Sequence, residues 1–106
     1  IFELVNMYFA FVGIVEIYPD NADTFLGMNK QTANLIWDCF LPYYFETNDQ
    51  NELNKLTDKI RLLTFVRILR HIVRQNKRDN IDVSKEIIYC IDEIHRLLEK
   101  VDTLVF

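Results

Sequence analysis

Between Glu3 and Glu16 the chain runs LVNMYFAFVGIV, twelve residues without a single charge. A stretch this apolar cannot lie comfortably on a wet surface, yet it is shorter than the roughly 18 to 20 residues that a membrane span needs. It also lacks the basic start and the small-residue cleavage site of a signal peptide. The remaining solution is a helix at the centre of a fold, buried on nearly all sides. No membrane span is expected. The chain opens on Ile1, so we read it as one domain, residues 1–106, excised from a larger protein.

What surrounds that helix follows from a shortage of turn residues. Among 106 residues there are two glycines and two prolines, while half are hydrophobic and 13% aromatic. Sandwiches and barrels consume turn residues, and disordered chains lack apolar ones, so both are disfavoured. The fold class expected is all-α, a compact bundle of four to five helices whose last two form an antiparallel hairpin.

The first helix should end at YPDNAD, where Pro19, Asp20, Asn21 and Asp23 mark a turn, and TFLGM offers a further short helical turn. In QTANLIWDCFL the polar residues Gln31, Asn34 and Asp38 define one wet stripe on an otherwise buried helix, and Pro42 should stop or kink it. TNDQNEL reads as a linker ending in a helix cap at Asp49, followed by a helix over about 49–77. KRDNID ends that helix, and Asp82 or Ser84 caps the last one, which should continue to the end of the chain. In it Val83, Cys90, Leu97 and Leu104 form one heptad column, Ile87, Ile94 and Val101 a second, and Ile91, Leu98 and Val105 a third. Three columns are wider than a two-stranded coiled coil requires, which places the helix in a bundle.

The long helix over 49–77 carries the most information. Leu53, Leu56, Ile60 and Leu63 follow the 3-4-3 spacing of an apolar seam, and the same column continues as Arg67, Arg70 and Arg74. Meanwhile Phe65, Ile68, Leu69, Ile72 and Val73 put the apolar side of the second half on another face. The helix either breaks near Thr64 or passes unbroken between two layers; neither glycine nor proline is there to break it, which favours the second. Residues 55–78 hold eight of the twelve basic side chains against one acid, a net of +7, within a chain whose total is −4.

Three readings of the basic face Arg67, Arg70, His71, Arg74 and Arg78 compete. It is a solvated face paired with Glu86, Asp92 or Glu93 across the hairpin, or a docking surface for an acidic protein partner with the leucine seam as its apolar end, or a phosphate-binding surface. A net negative chain is repelled by polyanions, so nucleic acid is disfavoured as a partner. A protein partner, or a second copy of the chain, is the expectation. Catalysis finds little support: Ser84 is the only serine, and His71 and His95 lie on different helices. Cys39, Cys90 and the two histidines lack the paired spacing of a zinc site, and PDNAD lacks the glycine and distal glutamate of a calcium loop. No metal or cofactor is expected. Two scattered cysteines read as inert core thiols and point to an intracellular protein, cytoplasmic or nuclear. A bundle enclosing an apolar ligand near Trp37 and Phe40 is the remaining alternative.

Overall fold

The computed structural model describes residues 2–18, 27–104 and 106, with nothing to say of the side chain of Phe2; the expected turn at 19–23 and most of TFLGM lie outside the described residues. Every regular element among them is helical. The first, α1 (residues 2–17), is α-helical over Phe2–Tyr8, π-helical over Phe9–Gly13 and α-helical again over Ile14–Ile17. It is followed by α2 (Lys30–Phe45), α3 (Gln50–Asp79) and α4 (Ser84–Lys100). The principal extents are 44 × 33 × 19 Å. The helices form a row in which α2 packs on α1, α1 on α3, and α3 on α4 in an antiparallel hairpin.

The uncharged run is central in this row, and among residues 3–18 only Glu3 and Asn6 are exposed. Its π-helical stretch inserts an extra residue into the turn, which rotates the face that follows. Residues before it, Leu4 and Tyr8, enter a first core cluster with Trp37, Leu41, Leu53 and Ile60. Residues after it, Ile14 and Ile17, pack on a second cluster of Phe65, Ile68, Ile72, Val83 and Cys90. Gly13 lies against α3 at the junction, where an added Cβ would come within 2.8 Å of Ile68 Cδ1 and 3.0 Å of Thr64 Cγ2.

The long helix α3 serves both clusters without interruption over thirty residues. Its first half buries Leu53, Leu56 and Ile60 and its second half Phe65, Ile68 and Ile72. Thr64, fully buried where the two faces cross, donates its hydroxyl to the Ile60 carbonyl at 2.7 Å, so the crossover leaves no unsatisfied hydroxyl. Asp49 caps the N-terminus, accepting from the Asn51 and Glu52 amides. Asn80, left-handed at φ 51°, ends the helix, a conformation asparagine tolerates.

Three expectations are corrected. Pro42 does not stop α2, the first of the two outcomes expected of it; the helix runs on to Phe45 and ends at left-handed Glu46, φ 52°. The proline sits within the last turn, so the one internal bond it removes is that to the carbonyl of Asp38, an exposed residue whose carbonyl water can reach. The last helix stops at Lys100 rather than continuing; the chain beyond it turns so that the Phe106 ring lies 5.6 Å from Lys59 Nζ on α3. Finally, α2 is not buried apart from one polar stripe: Leu35, Tyr43 and Cys39 are exposed, because α2 packs chiefly on α1 alone. Cys39 is therefore no core thiol, whereas Cys90 is fully buried, and both are free. No helix among the described residues is long and apolar enough to cross a membrane.

Candidate functional site

The basic row occupies the side of α3 away from its buried second half. Arg70 and Arg74 are exposed and make no hydrogen bond or ion pair among the described residues. Arg67 is drawn toward α1, where its guanidinium donates to Asn6 Oδ1 and stands 5.5 Å from the Phe9 ring centroid. His71 meets the same ring edge-on at 6.0 Å and borders a groove shared with Ile14, Tyr18, Asp82 and Glu86. Arg78 is exposed and pairs with its neighbour Asp79 at 3.1 Å. Among the described residues no ion pair joins the row to Glu86, Asp92 or Glu93: Glu93 faces Arg61 and Arg96 instead, and Glu86 only lines the groove that His71 borders.

The leucine seam that would have formed the apolar end of this surface is interior. Leu53 and Ile60 are buried in the cluster with Leu4 and Tyr8 of α1 and Trp37 and Leu41 of α2, Leu56 is also buried, and Leu63 is half-buried. A partner would reach the first three only by opening the fold. What reads as one amphipathic docking strip is thus a core seam followed by a separate, solvated cationic face.

Arg61, counted in the sequence with the basic stretch, is not part of that face. It points inward, and its planar fork makes three contacts at once: Nε to Glu93 at 2.6 Å, Nη2 to Glu16 at 2.8 Å and Nη1 to the Tyr8 hydroxyl at 2.9 Å. The guanidinium also covers the Phe65 ring at 4.5 Å. Tyr89 donates its hydroxyl to Glu16, and Arg96 pairs with Glu93. Burial opposes the charge of Arg61, but the bonds it donates to Glu16, Glu93 and the Tyr8 hydroxyl outweigh it and raise its pKa. Burial and the Glu16 carboxylate push the Tyr89 hydroxyl up to about 12.

The Glu93 carboxyl is held down at about 2, first by hydrogen bonding from Arg96 and, against the opposing effect of burial, by Arg61. Its folded value lies below the ordinary 4.5, so its stabilisation is complete above about pH 5 and is lost as pH falls toward 2. With its side chain 13% exposed, we expect a loss on the order of 2 kcal/mol after solvent screening. Urea unfolding at pH 7 and pH 3 checks this. The midpoint should drop at pH 3 in the native sequence, and by clearly less in Glu93→Gln.

The network ties α1, α3 and α4 together, and its groups are occupied with one another. Among the described residues no cluster of three or more histidine, cysteine or carboxylate side chains could hold a metal. Trp37 is packed edge-on against Tyr8 at 5.0 Å. No family model, curated protein or solved structure matches this chain. The functional reading therefore rests on its own surfaces.

The surface that the sequence did not single out is the outer side of α4. Two of its three heptad columns face inward over the helix, with Val83, Cys90 and Leu97 buried and Ile87, Ile94 and Val101 half-buried. The third column does not. Ile91 is 38% exposed and Leu98 57%, and beside them Ile88 is 59% exposed. The width of the stripe was the available signal: α4 is the last described helix in the row, so one column has no neighbouring helix among the described residues.

Proposed function

We propose that the chain is a helical protein–protein interaction or oligomerisation module of a larger intracellular regulatory or adaptor protein, acting by binding and without catalytic chemistry of its own. The observation that carries this reading is the outer side of α4, an exposed apolar helix face without a neighbouring helix among the described residues. Apolar patches of this kind mark interaction surfaces more often than chance exposure. Arg70 and Arg74, free of partners among the described residues, supply a second, polar surface on α3 suited to carboxylates.

The alternative is nucleic-acid binding through Arg67, Arg70, His71, Arg74 and Arg78. Light-scattering mass of the chain mixed with a short duplex, at about 0.1 M and 0.5 M salt, separates the two. The interaction reading expects no duplex bound at either salt. A complex at 0.1 M that dissolves at 0.5 M and is lost when Arg67, Arg70 and Arg74 become glutamate would move the assignment to nucleic acid.

A further inference from the structure

The outer side of α4 carries more than exposed apolar atoms. Ile88, Ile91, His95 and Leu98 follow one another at intervals of three, four and three, all of them exposed. That is the spacing of a helix-to-helix seam, so the surface it fits is another helix. Along one edge of the seam run Lys85, Asp92 and Glu99, seven residues apart and all exposed, basic at the start of the helix and acidic near its end.

This pattern is complementary to itself reversed. A two-fold axis across the middle of α4 brings Ile88 onto Leu98 of a second copy and Ile91 onto its His95, each pair occurring twice. The same operation sets Lys85 against Glu99 of the second copy, again twice. The two copies of Asp92 approach each other near the axis, a repulsion that solvent at the seam's edge weakens. A parallel arrangement lacks these advantages, because it would stack the two His95 rings on each other and leave Lys85 and Glu99 at opposite ends. Resting on the interaction reading, we propose that the partner of α4 is a second copy of this chain, paired antiparallel through Ile88, Ile91, His95 and Leu98 and held in register by Lys85 and Glu99.

The seam is about three turns long, so the interface belongs to the small, transient class and the dimer should dissociate in the micromolar range. Sedimentation velocity over about 1 to 500 µM at low salt tests the pairing. Leu98→Glu should give a monomer throughout with an unchanged helical spectrum, since Leu98 touches solvent in the single chain. Lys85→Glu should raise the dissociation constant about tenfold by placing like charges at both ends of the seam, and Glu99→Lys likewise. Lys85→Glu combined with Glu99→Lys should restore native affinity, and His95→Leu should tighten it. The pairing is overturned by a native chain that stays monomeric to 500 µM, by a dimer indifferent to Leu98→Glu, or by a double charge reversal that fails to restore association. Each of these leaves the interaction reading standing, whereas binding of the duplex removes that reading itself.

Discussion

Arg61→Met is expected to lower the unfolding free energy by about 3 kcal/mol, among the largest losses available to a single substitution in this protein. Methionine keeps most of the side-chain volume over Phe65 but leaves Glu16 without its cation and the Tyr8 hydroxyl without its donor. Both carboxylates are mostly enclosed, at 23% and 13% side-chain exposure. Glu93 retains Arg96, which keeps the loss below what two orphaned buried charges would cost. Arg61→Lys should recover only part of it, because an ammonium cannot meet Glu16, Glu93 and Tyr8 with three donors in one plane. Chemical unfolding measures all three proteins. A Met variant within about 0.5 kcal/mol of the native chain would mean that the network contributes order rather than stability.

Gly13→Val is the second, with an expected loss of about 3 kcal/mol. The glycine lets the backbone of α1 approach α3 where the two core clusters meet, with Ile68 and Thr64 already at contact distance of a side chain that is absent. A branched side chain there must push α1 away from α3, which loosens Tyr8 against Trp37 on one side and Ile14 against the second core cluster on the other. Gly13→Ala is a milder probe. Its nearest obstacle is the free end of Ile68, which can swing, and alanine is the better helix former by about 1 kcal/mol. Thermal unfolding should therefore show a large drop for valine and a small change of either sign for alanine. Equal, small effects for both would show that the α1–α3 crossing is more tolerant than its geometry indicates.

These two sites also mark where sequence reasoning reached its limit. The central position of α1 was legible because twelve uncharged residues have few other places to go. The unbroken course of α3 was legible because Leu53, Leu56 and Ile60 lie on one side of the helix and Ile68 and Ile72 on another. The cap at Asp49 needed only local chemistry. Arg61 was only counted with the basic stretch and not singled out, because a cation in a polar-looking segment says nothing of the acids that will meet it from residues 16 and 93. The hint was its place, one turn from Phe65 and on the same side as Thr64 and Ile68. The leucine seam was misread as a docking strip for a similar reason, since periodicity shows that a face is apolar but not what covers it. The same ambiguity ran the other way in α4, where a stripe of three columns was read only as membership of a bundle, and the described helices cover two of them.

The central claim is that α4 presents an apolar seam on which the chain associates, and hydrogen–deuterium exchange at rising protein concentration in 0.5 M salt tests it most directly. Salt at that level screens the cationic face of α3 but not apolar contact. The account predicts that amides over residues 84–100 slow as concentration rises from about 1 to 500 µM, with those of α2 unchanged, and that Leu98→Glu abolishes the effect. Exchange in α4 that is independent of concentration, or protection that develops over residues 30–45 instead, would contradict it.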